Sequence, residues 1–521
     1  MKKAAIFSIF LLMTALPFLG DEEGCTTITV GKKASSSGFV TTSHTCDSHR
    51  TGSAITVQPR ARHKPGEKTS VHIRENDDSG PMPQYKRVKI GEIPQVPLTY
   101  QYINTAYASM NEYQLAIGES TFGGREELRS DEGLIDCQEL CRLMLERCKT
   151  AREALNLAGE LTKKFGYNDG GECLTIADKN EVWHLEILGP GKGKTGSIWA
   201  AQRVPDNHVS VCANGSRIRE INLKQPDYFL ASENVFSAAV ENGWWDPKSG
   251  IPFEFCYAYS PESRTSFATR RREWRVLSLI APSLKLHPNS ENYPFSVKPD
   301  QSVTLEQLID IFGDTFEGTD FDMTKNIVAP DNDGKMIKSP FANPFMPYDM
   351  NPLFKINGGW GWRGERPIAR LYCMYAIITQ SRSDMPDPVG GVVWLSYDNP
   401  ATTVWVPFYA SVQRMPESYT VEGRNGYSRK SAWWAYNRAS TLAAQRWGDM
   451  RKDVEKIRKT LQTEALGKQK EIEAKALELY KSSPEKAASF LTKYSIDFAA
   501  KAAEAFWKLG DFLWTKYDEK F

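Results

Sequence analysis

The chain has almost no net charge, few histidines and, past its start, no long hydrophobic run. Lysine plus arginine total 65 against 64 aspartate plus glutamate, a net charge of +1. Such balance offers no electrostatic reason to expect nucleic acid or an anionic membrane as partner. None of the seven histidines stands in a His-Glu-x-x-His or comparable ligand spacing, so no metal and no other cofactor is expected. No later segment stays apolar for the ~20 residues that a membrane span requires, so no stable insertion is expected once the leader is gone. A phosphate-binding loop is excluded on spacing. In "GPGKGKTGS" Gly189 stands one residue too close to the Gly-Lys-Thr, and "SIWAAQRV" continues as a strand rather than a helix. That segment reads instead as a Gly/Lys hairpin tip.

What is present begins with "MKKAAIFSIFLLMTALPFLG", two lysines followed by an apolar run and small residues, the layout of a secretory signal peptide over 1–20. Export to the periplasm or the medium follows from it. With 521 residues, 41% of them hydrophobic, the chain is long enough for one large domain or two to three ordinary ones. The nine cysteines are odd in number, so in an oxidising compartment at least one stays unpaired or pairs between chains.

Along the chain, "TTITVGKKASSSGFVTTSHTCD" alternates β-branched and small residues about a turn and predicts a hairpin with Cys25 at the head of its first strand. The polar stretch "QPRARHKPGEKTSVHIRENDDSGPMPQYKRV" predicts a long surface insertion. Residues 136–166 carry apolar residues at three- and four-residue spacing and predict a helix pair, with Cys137, Cys141 and Cys148 on roughly one face as small buried apolar residues. Residues 172–218 read as a strand meander, and 365–425 as a second strand-rich block. From "SAWWAYNRASTLAAQRW" to the end the pattern is helical and amphipathic with mixed charge, which predicts a helical pack against the main domain. Two strand blocks separated by helices predict an α+β protein with two packed sheets.

Cys25 has three readings: lipid anchor, disulfide half or nucleophile. A lipid anchor wants an apolar residue, typically Leu, three positions earlier, where this chain has Glu22. A disulfide to Cys46 across the predicted hairpin is open, but it makes no use of the Gly24–Cys25 junction. Loss of the leader and of the short segment 21–24 would make Cys25 the first residue, with a thiol and a free α-amine together. An α-amine has an unperturbed pKa of ~7.7–8.0, so it can take the thiol proton near neutral pH and return it to a leaving amine.

The segments "CTTITVGKKAS", "MNEYQLAIGEST", "GECLTIADKNEVWHLEI", "WAAQRVPDNHVSVCAN", "RRREWRVLSLIAP" and "GGVVWLSYDNPATTVWVPFYA", in this order, resemble the secreted cysteine dipeptidases related to dipeptidase A and the secernins. These are N-terminal-nucleophile hydrolases, with penicillin V acylase and bile-salt hydrolases as distant relatives. The resemblance implies an αββα sandwich over 25–430 with a helical region over 431–521 packed on it. It also implies dipeptide substrates, an acyl-enzyme on Cys25 and no cofactor. Homo-oligomer formation is left open.

By position in these segments, Asp47 in "HTCD" matches the acidic residue near the nucleophile's amine. Asn214 in "CAN" matches an oxyanion or amine contact, and Arg272 matches the arginine beside the catalytic cysteine. His44 stands where the acylase branch has an arginine, and Glu119-Ser120-Thr121 stands where that branch has its oxyanion asparagine. His44, Glu119 and Thr121 are therefore substrate-contact candidates, and Glu119 and Asp47 the candidates for pairing with a substrate's α-ammonium. Loss of one good oxyanion donor costs ~2.7–4 kcal/mol in activation energy, so another group, such as a backbone N–H, is needed there. Without the resemblance, Asp47 and Asn214 read as turn residues and "TRRREWR" as a solvated charged face. The alternatives in function are an N-acyl amide hydrolase and a secreted binding protein using some of the 14 tryptophans, although Trp394 and Trp405 sit in core-like strand patterns.

Overall fold

The computed structural model describes residues 24–345 and 366–520. The signal peptide expected over 1–20 and the segment 21–23 after it lie outside the described residues. Helices and antiparallel sheets combine in an α+β arrangement.

The larger sheet has eight strands. Its spatial order is Phe229–Ala231, Ile198–Val204, Val182–Leu188, Gly171–Ala177, Ala116–Gly123, Met110–Asn111, Tyr102–Asn104 and Thr56–Gln58. A smaller sheet orders Ser43–Asp47, Cys373–Gln380, Val392–Tyr397 and Val406–Tyr409, and a third pairs Thr27–Val30 with Val209–Cys212 and Ser296–Val297. The expected meander is present, but its last strand, Val209–Cys212, leaves the large sheet to pair with Thr27–Val30. "GPGKGKTGS" does turn between two antiparallel neighbours, Leu188 facing Ile198.

The expected hairpin at Cys25 is corrected in kind. Thr27–Val30 and Ser43–Asp47 lie side by side and bridge at Gly24 with Asp47 and at Val30 with Thr41, yet each belongs to a different sheet. Between the bridges hydroxyls replace much of the ladder. Ile28 N–H donates to Ser43 Oγ at 2.8 Å, Ser43 Oγ–H donates to the Ile28 carbonyl at 2.7 Å, and Thr26 N–H donates to Thr45 Oγ1 at 2.9 Å. All of these atoms are buried, so without the hydroxyls the backbone groups would lack partners.

The same strand lies against the large sheet. A Cβ on Gly118 would fall 2.3 Å from the Ser43 carbonyl, so only glycine permits this approach, and Thr42 Oγ1 meets Thr175 Oγ1 at 2.6 Å. The strands Cys373–Gln380 and Val392–Tyr397 are buried at every position, which is why they read as near-continuous apolar and β-branched runs.

Helices Cys137–Arg147 and Ala151–Phe165 match the sequence expectation. Asp136 and Thr150 cap them by accepting from the N–H groups of Glu139 and Glu153. Cys137, Cys141 and Cys148 are buried among apolar residues, and none of the nine cysteines, Cys25 and Cys46 included, is in a disulfide. The predicted surface insertion is not loop but a long antiparallel hairpin, Lys68–Asp77 with Gln84–Pro94. From it Arg74 reaches back toward the sheet, donating to Tyr107 Oη at 2.6 Å and to Asp169 at 3.1 Å.

The C-terminal part is three helices, Ala432–Gln445, Trp447–Ser482 and Pro484–Lys516. Ser483 breaks the last two by capping the second, which starts on a proline. Their apolar faces join the same core as the small sheet, and Trp394 and Trp405 are fully buried in it. Arg382 and Glu473, both buried, tie helix to sheet through bonds of 2.7 and 2.9 Å. Among the described residues no helix is long and apolar enough to cross a membrane.

Candidate active site

Cys25 sits just ahead of the strand Thr27–Val30, almost fully buried. Its position is set first by the backbone: Gly24 N–H donates to the Asp47 carbonyl at 2.9 Å, and Asp47 N–H donates to the Gly24 carbonyl at 3.1 Å. A Cβ at residue 24 would fall 2.6 Å from Asn214 Oδ1 and 2.8 Å from Arg366 Nη2, so the residue before the cysteine has room for glycine alone.

Asn214 closes the site from the loop after Val209–Cys212. Its φ of +58° is one that asparagine tolerates better than most residues. Its Oδ1 accepts from Cys25 N–H at 3.0 Å, from Arg272 at 2.8 Å and from Arg366 at 3.3 Å. Its Nδ2 donates to the Thr121 carbonyl at 2.6 Å, and its backbone N–H to Ser120 Oγ at 3.0 Å. Asn214 thus holds the nitrogen of Cys25 through Oδ1, while one of its two side-chain N–H groups is bonded to the Thr121 carbonyl.

Arg272 projects from the helix Phe267–Ile280 and is buried, as are Arg270, Arg271 and Glu273 beside it. The reading of "TRRREWR" as a solvated face is therefore overturned. Burial is sustained by partners: Glu273 meets Arg217 at 2.6 Å and Arg264 at 3.4 Å, and Arg271 lies over the Phe321 ring. Arg272 itself donates to the Cys25 carbonyl at 2.8 Å, to Thr26 Oγ1 at 2.9 Å and to the Ala213 carbonyl at 2.9 Å. It clamps the main chain of residue 25 and, as a guanidinium, cannot serve as a base.

Asp47 is placed by its backbone pairing with Gly24, and its carboxylate binds Arg366 at 2.8 Å through Oδ2. Sequence reasoning missed Arg366, which lies in "RPIAR", a stretch without periodic signal. The turn reading of Asp47 does not hold, because it ends a buried strand.

The thiol faces a carboxylate. Cys25 Sγ–H donates to Glu119 Oε2 at 3.3 Å, and Glu119 Oε1 accepts from Thr121 Oγ1 at 3.0 Å. Burial above all, then the negative charge of Glu119, pushes the Cys25 thiol well above its usual range. Thr121 Oγ1 also lies 2.8 Å from Glu172 Oε1 on the neighbouring strand. Glu172 is a second residue that the sequence reading missed. Its signal was a lone charge in register with Leu174 and Ile176 on a strand buried throughout.

His44 Nδ1 lies 2.8 Å from the Glu119 carbonyl, which can only accept, so Nδ1 carries a proton; Nε2 meets Tyr375 Oη at 3.2 Å. The donor atoms of Cys25, His44 and Glu119 lie within 4.8 Å of one another, a juxtaposition invisible to sequence spacing because three separate segments supply it. It fits a metal poorly, since the nitrogen of His44 nearest the other two is spent on a main-chain carbonyl.

A buried thiol with its nitrogen held by an amide, its carbonyl clamped by an arginine and a carboxylate at its sulfur is an arrangement suited to thiol-dependent acyl transfer. The chain belongs to peptidase family C69, whose family model matches residues 24–460 and so begins one residue before Cys25. It is similar to a protein named probable dipeptidase from Latilactobacillus sakei, 24% identical over 345 residues, 65% of this chain and 64% of that one. A probable dipeptidase B of Streptococcus pyogenes serotype M1 is 26% identical over 359 residues, 69% of this chain and 66% of that one. A probable dipeptidase B of Lactococcus lactis subsp. lactis (strain IL1403) is 23% identical over 490 residues, 92% and 93% of the two chains. The match thus spans just under two thirds of the first two relatives and nearly all of the third.

Proposed function

We propose that this protein is an exported cysteine dipeptidase, acting in the periplasm or the medium. In this reading it matures by losing the residues ahead of Cys25 and hydrolyses dipeptides through an acyl-enzyme on Cys25 Sγ. Residues 25–430 form the hydrolase domain, an αββα sandwich of the N-terminal-nucleophile type, and 431–521 the helical region packed on it.

One observation carries this function: Glu119 Oε2 stands 3.3 Å from the nucleophilic sulfur, inside a buried site. In any peptide the α-nitrogen of a residue lies about 2.5 Å from that residue's carbonyl carbon. A carbonyl poised about 3–3.5 Å from Cys25 Sγ therefore brings the α-ammonium of the same residue to Glu119. A longer N-terminal extension or an N-acyl group would place uncharged atoms against that buried carboxylate. The site selects substrates with one residue ahead of the scissile bond.

The chemistry follows from the protonated thiol. Freed by processing, the α-amine of Cys25 takes the Sγ proton as sulfur attacks the carbonyl, and passes it to the leaving amine when the peptide bond breaks. Water then adds to the thioester, releasing the first amino acid and restoring the thiol. Arg272 and Asn214 hold the main chain of residue 25 so that sulfur and amine stay in register. Loss of Gly24 leaves the Asp47 N–H as a backbone donor at the nucleophile, which supplies the oxyanion contact that the relatives' asparagine would provide.

The test compares a free-amine dipeptide with its N-acetyl form on the purified protein. The free dipeptide is expected to be cleaved, and acetylation to cost ~2–5 kcal/mol of binding because Glu119 is left buried and unpaired. Cys25→Ala should be inactive, and the intact mass should correspond to a chain starting at Cys25. Equal or faster cleavage of N-acylated amides would give the function to the acylase alternative.

A further inference from the structure

Thr121 Oγ1 lies within hydrogen-bond distance of two carboxyl groups, 3.0 Å from Glu119 and 2.8 Å from Glu172. A hydroxyl has one proton to donate. Towards the other carboxyl it accepts, so that carboxyl carries a hydrogen of its own. Glu119 accepts the Cys25 thiol at its other oxygen, whereas among the described residues no donor reaches the other, buried oxygen of Glu172; the negative charge is better held on Glu119, which places the proton on Glu172. Burial first, then repulsion from Glu119 and Asp169, pushes the Glu172 carboxyl well above the usual carboxylate range.

Among the described residues Arg74 is a cation bearing on Glu172, and it is already bonded to Tyr107 Oη at 2.6 Å and to Asp169 at 3.1 Å. Asp169 adds a like charge, Asp136 lies 3.8 Å from Arg74, and Cys137, whose thiol burial pushes up, feels both glutamates. His44 spends its Nδ1 proton on the Glu119 main chain.

Building on the dipeptidase function proposed above, we infer that Glu172 is the second carboxyl of the α-ammonium subsite: it shares one proton with Glu119 when the site is empty and gives that proton up when the substrate's ammonium binds. The O–H bond of Glu172 breaks, its proton passes to solvent, and the ammonium takes its place against the two carboxylates. Net charge at the pair is one negative before and one negative after, so the buried pocket never holds the uncompensated second charge that would be costly there. A neutral or acylated N-terminus cannot make this exchange.

The test is the pH dependence of KM for L-Ala-L-Ala between pH 5 and 7.5, where the dipeptide amine stays largely protonated, in the wild type, Glu172→Gln and Glu172→Asp. For the wild type KM should fall as pH rises, by up to about tenfold per unit. Glu172→Gln, which keeps the neutral shape but cannot release a proton, should show a flat KM, about tenfold above wild type at pH 7.5, with kcat little changed. Glu172→Asp should restore the slope. A Gln variant that keeps the wild-type slope, while the wild type still prefers a free amine, overturns the role of Glu172 alone. Equal cleavage of N-acetyl-L-Ala-L-Ala by the wild type overturns the dipeptidase function with it.

Discussion

At the scale of single residues, the Cys25 thiol is held in its protonated form by burial and by the carboxylate at its sulfur. In the proposed function the same carboxylate receives the substrate's ammonium. Replacing it separates the two effects. Glu119→Gln should lower the thiol pKa and so speed alkylation by iodoacetamide at pH 7.5 by about tenfold, the effect of one pKa unit. Hydrolysis of free-amine dipeptides should fall in the same variant, through KM. Slower alkylation together with unchanged KM would mean that Glu119 neither opposes the thiolate nor binds the amine. Cys25 stood out in sequence because an apolar run, a short acidic segment and a glycine precede it. Glu119 was legible only as one of two carboxylates, because nothing in a linear pattern says which strand residue points at a sulfur 94 positions away. Asp47, the other, turns out to be tied to Arg366.

At the scale of elements, the strand carrying the nucleophile is joined to its neighbour by side chains. Ser43 Oγ both accepts from and donates to the main chain of Ile28, and all the groups are buried. Ser43→Ala should leave an N–H and a carbonyl without partners and lower unfolding free energy by about 1–3 kcal/mol, measured by urea denaturation. Ser43→Thr, which keeps the hydroxyl, should recover most of that loss. The β-branched and hydroxyl pattern of "TTITV" and "TTSHTCD" was enough to place two strands side by side. It could not show that they enter different sheets, since sheet membership depends on strands at 209–212 and 373–380. The surface insertion gave no strand signal for a related reason: its polar composition is that of a surface segment, while cross-strand pairing over its whole length holds its exposed and half-buried residues as a ribbon.

At the scale of the whole molecule, the C-terminal helices share the core with the small sheet, and Arg382 with Glu473 is the polar joint between them. Removing one charge from a buried pair leaves the other uncompensated, so Glu473→Gln should cost about 3–5 kcal/mol. Thermal unfolding should register this as a lower Tm, while the kcat of the folded fraction stays near wild type. An unchanged Tm would mean that the pair contributes nothing to docking the helices. What the sequence determined alone was local: helix and strand periods, the glycine–cysteine junction, and a motif order specific enough to indicate a family. The tertiary structure decided what depends on distance in space. It buried the Arg270–Glu273 run against Glu273's partners, turned Asn214 toward the nitrogen of Cys25, and set Glu119 and Glu172 on adjacent strands around one threonine hydroxyl. Periodicity is written by neighbours along the chain, whereas two carboxyls meet at one hydroxyl only when folding brings them together away from water.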